Sequence, residues 1–208
     1  MAPKVAVEFY FESLCPYCQT FTTGPLKRVL DKPDLVEIID LKLVSYGNTK
    51  KAADGSFTCQ HGVNECKSDV LELCTLYKLS NDINSISTGD TSLAAWPFIL
   101  CMEEANGDPT KGESCYTSTM DTKALPWSTV ATCAKEEESL VQTTAMKATP
   151  IHDYVPWVLV DGTLLENTNL LQKTICDAYT GQTPASCKLL EPVEKTSSNS
   201  TACMFSDK

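Results

Sequence analysis

With 208 residues and 42% hydrophobic content, the chain can bury the core of one sizeable domain. A formal charge of −10 without any basic cluster argues against nucleic acid and anionic membranes as partners, because nothing is placed to neutralise phosphates. No apolar run approaches the roughly 20 residues of a bilayer span. Glu8 interrupts the stretch after Met1-Ala2-Pro3-Lys4 where a signal-peptide core would lie, so the chain reads as a mature or trimmed form.

Val5-Ala6-Val7-Glu8-Phe9-Tyr10-Phe11 is rich in β-branched and aromatic residues and predicts a strand. Glu12-Ser13 then leads to Cys15-Pro16-Tyr17-Cys18, where a helix is predicted to begin, with Pro16 in its first turn and Leu26, Val29 and Leu30 on its apolar face. Asp31-Lys32-Pro33-Asp34 breaks the pattern, and a second strand is predicted from Val36 to Val44. A C-x-x-C inside such a β-α-β unit is thioredoxin-like and reads as a redox dithiol. The helix N-terminus favours a thiolate at Cys15, while Cys18, one turn along, faces inward. The pair can then open as two thiols or close as a small-ring disulfide, passing electrons through a mixed disulfide. Zinc is the weaker alternative, since there is no second C-x-x-C and His61 and His152 are distant in sequence from the motif and from each other. An inert brace across so short a loop would constrain the unfolded chain little.

Between residues 45 and 150 short helical patterns replace strand alternation. Val70, Leu71, Leu73, Cys74 and Tyr77 recur at helical spacing, another helix is predicted to open at Pro97, and a third to run from Trp127 to Ala134. Within one helix Cys66 and Cys74 would stand about 12 Å apart, too far for a disulfide. Tyr154 to Val160, the Asp161-Gly162 turn and Thr163-Leu164-Leu165 predict a strand, a tight turn and a strand. Asn169 to Tyr179 predicts a closing helix with Leu170, Leu171, Thr174 and Ile175 toward the sheet. The expected organisation is a single domain over residues 1–190, with a core of about 4–47 and 150–182 and a helical insertion over about 48–149. A flexible Ser/Thr/Asn-rich tail over 191–208 carries Asn199-Ser200-Thr201, a candidate glycosylation site.

Eleven cysteines point to an oxidising compartment. Setting aside Cys15 and Cys18 leaves nine, an odd number, so at least one should be free or paired between chains if the dithiol is intact. Cys203 is the first candidate, unless a disulfide staples the tail back to the body.

Cys59-Gln60-His61-Gly62-Val63-Asn64-Glu65-Cys66, continued through Asp69 to Cys74, matches the signature C-Q-H-G-x-x-E-C-x-x-N-x-x-x-x-C at every fixed position except Asp69, where the signature has Asn. The chain thereby resembles the gamma-interferon-inducible lysosomal thiol reductase family. Tyr46-Gly47-Asn48, Cys101-Met102-Glu103-Glu104, Tyr154-Val155-Pro156-Trp157-Val158 and a late cysteine extend the resemblance over nearly the whole chain. It implies an α/β, thioredoxin-like fold with a helical, disulfide-braced insertion, and an enzyme that reduces protein disulfides at acidic pH. The catalytic pair would be Cys15 and Cys18. Pro16, Tyr17, Val155 and Pro156 would bind substrate, with Pro156 as a cis proline beside the dithiol and Val155 offering its backbone; a trans strand-entry proline is the plainer alternative. His61 reads as part of a cystine-braced helix start. No metal or cofactor is expected, but an external thiol is needed for turnover. Partners would be disulfide-containing proteins, with oligomeric state open, and the location lysosomal, endosomal, vacuolar or secreted. At a pH near 5 a thiol of ordinary pKa is thiolate only about 0.03% of the time, so the site must lower that pKa or accept slow attack. An oxidase or isomerase on the same scaffold and a non-catalytic cystine-stapled binding protein are the alternatives. Glutaredoxin, which shares Cys-Pro-Tyr-Cys, is disfavoured by the insertion and the extra cysteines.

Overall fold

In the computed structural model, which describes residues 2–189 and 202–204, the fold is built outward from β1 (Val5–Phe11). Val5, Val7 and Phe9 alternate inward, and burial becomes continuous through Phe9, Tyr10 and Phe11, as in a strand covered on both faces near its end. Phe9 stacks on Phe11 at 4.5 Å and meets Phe21 edge-on at 4.8 Å, which ties the strand to the helix that follows. That helix runs over residues 16–30 in three pieces: α1 (Pro16–Phe21), a π-turn (Thr22–Leu26) and α2 (Lys27–Leu30). Pro25 has no N–H to donate, and the hydrogen-bond ladder widens around it. Leu26 and Val29 are buried, and Leu30 is half-buried.

The next strand is shorter than the sequence predicts. Pro33 opens a helical turn, α3 (Pro33–Val36), so Val36 is helical and β2 (Ile39–Ser45) begins three residues later. β1 and β2 are parallel, from Val5 opposite Ile39 to Phe11 opposite Ser45. The insertion opens with a small hairpin that periodicity did not indicate, β3 (Lys50–Lys51) and β4 (Phe57–Thr58). It continues with α4 (Val63–Ser80), α5 (Ser85–Thr88), α6 (Ser92–Glu104), α7 (Gly112–Thr119), α8 (Trp127–Glu136) and α9 (Glu138–Ala148). α6 starts at Ser92, upstream of Pro97, which sits inside the helix. Disulfides brace these helices: Cys74–Cys133 links α4 to α8, Cys101–Cys115 links α6 to α7, and Cys59–Cys66 ties the preceding loop to α4. Cys66 and Cys74, too far apart to bond each other, thus have separate partners.

The chain returns through β5 (Tyr154–Val155), β6 (Trp157–Val160) and β7 (Thr163–Leu164). Asp161 and Gly162 take φ of 47° and 74° in the turn between the last two, as a type I′ hairpin requires. The predicted closing helix opens as a 3-10 turn (Thr168–Leu170) with Leu170 half-buried and continues as α10 (Leu171–Ala178), which buries Leu171 and Ile175 fully and Thr174 partly; α11 (Ala185–Lys188) is tied to it by Cys176–Cys187. β8 (Cys203–Met204) pairs with β5. The main sheet has the order β2-β1-β6-β7, with β6 antiparallel to β1. A β-α-β unit followed, after the inserted helices, by an antiparallel hairpin and a helix is the thioredoxin-like arrangement. Among the described residues no helix is long and apolar enough to cross a membrane. Asn199, and the tail apart from Ala202, Cys203 and Met204, lie outside the described residues.

Candidate active site

The site lies where β1 ends. Glu12 and Ser13 are fully buried, and Cys15 caps α1 in an extended conformation, its carbonyl accepting from the Gln19 N–H at 3.0 Å. Gln19 Nε2 donates back to the Ser13 carbonyl at 2.8 Å, which fixes the loop before the helix. Pro16 is the first helical residue and Tyr17, 36% exposed, stands at the rim. Cys18 lies one turn along, buried and free. Burial pushes its thiol well above the usual range; Glu103, Glu12 and Asp69 add to this, against a backbone hydrogen bond from Glu12.

The two motif cysteines are not joined, nor are they a pair of thiols. Cys15 is bonded to Cys203, so the cysteine without a disulfide is Cys18, not Cys203. The tail is stapled to the body, and at a place the sequence did not indicate. Cys15 is also fully buried and held in a disulfide, although its place at a helix N-terminus predicts a thiolate. The cause is β8, which runs antiparallel to β5 with Met204 opposite Tyr154 and Cys203 opposite Val155, and so lays Cys203 over the Cys15 sulfur. That sulfur is 3.9 Å from the Val155 carbonyl oxygen. The Val155–Pro156 peptide is cis and both residues are buried.

Side chains from the insertion hold the tail strand. Asn48 Nδ2 donates to the Cys203 carbonyl at 3.2 Å and to Gln60 Oε1 at 2.7 Å, and Gln60 Nε2 donates to the Met204 carbonyl at 2.7 Å. Asn48 and Gln60 were missed as site residues, although both lie in the segments that carry the family resemblance. His61 is likewise not remote from the motif. Glu65 accepts its backbone N–H at 2.9 Å and lies 2.5 Å from its Nδ1, while Glu12 Oε2 is 3.5 Å from the same nitrogen. The Cys59–Cys66 bond closes this loop onto the start of α4.

Beneath the loop lies a buried acidic layer. Glu65, Asp69 and Glu72 follow one another at spacings of four and three on one face of α4, and Glu103 joins them from α6; none is more than 3% exposed. Burial raises the Glu12 carboxyl to about 9, with the Glu65 charge adding to the effect and the Asn48 N–H opposing it. Burial raises Asp69 to about 7, and holds Glu72 and Glu103 well above the usual carboxylate range. The departure at Asp69 preserves a contact: Oδ1 accepts from the Ser13 N–H at 3.0 Å and the Ser45 hydroxyl at 2.9 Å. Glu12, His61 and Cys203 bring possible metal-ligating atoms within 4.8 Å of one another, but a sulfur held in a disulfide is not a thiolate ligand.

A family model described as "Gamma interferon inducible lysosomal thiol reductase (GILT)" matches residues 6–119. A "Gamma-interferon-responsive lysosomal thiol protein" of Arabidopsis thaliana is 35% identical over 86% of this chain and 73% of its own. A "Gamma-interferon-inducible lysosomal thiol reductase" of Carassius auratus is 31% identical over 89% of this chain and 73% of its own. Among solved structures, MdbA, a thiol-disulfide oxidoreductase from Corynebacterium diphtheriae, aligns over 83% of each chain with a TM-score of 0.45 at 14% identity. From the family model over residues 6–119 and the Arabidopsis and Carassius relatives, together with the Cys-x-x-Cys motif on its β-α-β unit and a signature met at every fixed position but Asp69, the chain belongs to the gamma-interferon-inducible lysosomal thiol reductase family and is a thiol oxidoreductase.

Proposed function

We propose that this chain reduces disulfide bonds of protein substrates in an acidic, lysosome-like compartment, with Cys15 as nucleophile and Cys18 as the resolving thiol. One observation carries the reading: Cys15 is bonded to a cysteine on an extended strand seated next to cis-Pro156, with a free buried thiol one helical turn away. That is the connectivity of a mixed disulfide between enzyme and substrate. In the forward reaction the Cys15 thiolate attacks a substrate disulfide, and the departing substrate sulfur takes up a proton. Cys18 then gives up its proton and attacks Cys15 Sγ. The second substrate sulfur leaves as a thiol, and the enzyme is left with a Cys15–Cys18 disulfide. An external thiol restores the dithiol, and no other cofactor enters. Pro16 and Tyr17 flank the nucleophile, and the Val155 backbone offers a substrate strand its pairing edge.

The test is reduction of insulin at about pH 5 with a supplied thiol. Cys15→Ser abolishes turnover and Cys18→Ser accumulates a mixed disulfide with insulin; a fully active Cys15→Ser variant refutes the assignment. The reduction potential of the Cys15–Cys18 couple separates a reductase from an oxidase on the same scaffold, since electron flow follows potential and not spacing.

A further inference from the structure

We propose that β8, Cys203–Met204, is a built-in redox cap: it occupies the edge of β5 that a substrate strand must pair with, and Cys203 competes with substrate sulfur for Cys15. The inference rests on the reading of Cys15 as the nucleophile. Its evidence is the way the strand is held. The ladder to Tyr154 and Val155 and the amides of Asn48 and Gln60 all engage backbone, taking the consecutive carbonyls of Cys203 and Met204. None of these contacts reads a side chain of the tail, so a substrate strand carrying a cysteine at the same register would use the same partners. Cap and substrate therefore exclude each other, and Asn48 and Gln60 become substrate-backbone binding residues. Cys203 is only 7% exposed and leaves Cys15 no exposure at all. The cap is also favoured by its tether, because a cysteine in the same chain presents an effective concentration on the order of millimolar, whereas protein substrates present far less.

The cap opens by an exchange that needs no net oxidant. Cys18 loses its proton and attacks Cys15 Sγ; the Cys15–Cys203 bond breaks as the Cys15–Cys18 bond forms, and Cys203 leaves and takes up a proton. A low-molecular-weight dithiol then reduces Cys15–Cys18, becomes a cyclic disulfide itself, and delivers two protons and two electrons, leaving Cys15 and Cys18 as thiols. When turnover leaves Cys15–Cys18 oxidised and the external thiol is exhausted, Cys203 can attack Cys15 and restore the cap.

The experiment uses the full chain. Untreated wild-type protein is alkylated with iodoacetamide at acid pH, digested without reduction and mapped by mass spectrometry, and insulin reduction is followed for wild type and Cys203→Ser. The cap predicts a Cys15–Cys203 linked peptide and a lag in wild-type turnover that Cys203→Ser lacks, with an initial rate higher on the order of tenfold. In the Cys203→Ser background, Gln60→Ala raises KM for an extended peptide disulfide roughly fivefold, the share of one backbone hydrogen bond. An alkylated Cys203 beside a Cys15–Cys18 linked peptide in untreated protein overturns the cap and leaves the reductase reading intact, as do equal initial rates without a lag. A Cys15–Cys203 peptide in a protein that reduces no insulin, with or without Cys203→Ser, instead refutes the reductase reading and takes the cap with it.

Discussion

Gly47 faces Glu12 so closely that a Cβ at position 47 would collide with Glu12 Cγ. The turn after β2 thus closes directly onto the end of β1. Gly47 sits at φ +47°, and the next residue, Asn48, donates its N–H to Glu12 Oε1 while its side-chain amide reaches the Cys203 carbonyl. A single turn therefore fixes a buried carboxyl beside the redox motif and carries the amide that grips the tail strand.

Gly47→Ala puts a side chain where there is no room and in a backbone region L-residues disfavour. Left-handed strain of about 1–2 kcal/mol and an overpacking cost of about 1–3 kcal/mol both apply. Chemical denaturation should report a loss of about 2–5 kcal/mol. Because Asn48 shifts with the turn, reduction of Cys15–Cys203 by a small thiol, read by alkylation, should also be faster. A variant as stable as wild type would mean that the turn has slack the packing does not reveal.

The acidic layer makes stability depend on pH in a defined direction. Asp69 is raised from 3.8 to about 7, so across that window the folded chain keeps a proton that the unfolded chain releases. This contribution is fully present below the unfolded value and is lost as pH rises through the folded one, at about 1.4 kcal/mol per pH unit per proton. Glu12, raised to about 9, acts in the same direction over a wider range. Stability should therefore be highest in mild acid and fall toward neutral pH. Asp69→Asn keeps an Oδ1 acceptor for the Ser13 N–H and the Ser45 hydroxyl and has no proton to lose. It should be near neutral at about pH 4 and more stable than wild type at about pH 7, flattening the slope by up to one proton. A slope unchanged by the substitution would remove Asp69 from the account.

The β-α-β unit and the Asp161-Gly162 hairpin were legible because strand alternation, Pro16 at a helix start and a positive-φ dipeptide are local signals. Val36 was misplaced because its β-branched side chain reads as strand, whereas Pro33 nucleates a helical turn through it. The site was legible in its cysteine motif and, through the family resemblance, in the cis Val155–Pro156 peptide and the Val155 backbone beside it. Nothing in the sequence ties Cys203 to Cys15 across 188 residues, and an odd cysteine count is equally consistent with either being unpaired. His61 looked remote because its approach to Glu12 depends on how the insertion folds back. Glu65, Asp69, Glu72 and Glu103 look like ordinary surface charge until α4 and α6 pack those faces inward.

The disulfides of the insertion should separate stability from activity. Cys74–Cys133 spans 59 residues and joins α4 to α8, whereas Cys59–Cys66 spans seven and frames Gln60 and His61. In the chain-entropy picture the long loop contributes about 4 kcal/mol and the short one about 2.5 kcal/mol. Replacing both cysteines of each pair by Ala avoids new free thiols. The Cys74/Cys133 double variant should lose the larger amount in denaturant while keeping its KM for an extended peptide disulfide. The Cys59/Cys66 double variant should lose less stability but raise that KM several-fold, because the loop that positions the Gln60 amide is freed. If KM instead tracks stability in both variants, the Cys59–Cys66 loop is a structural brace and the amide of Gln60 holds no substrate.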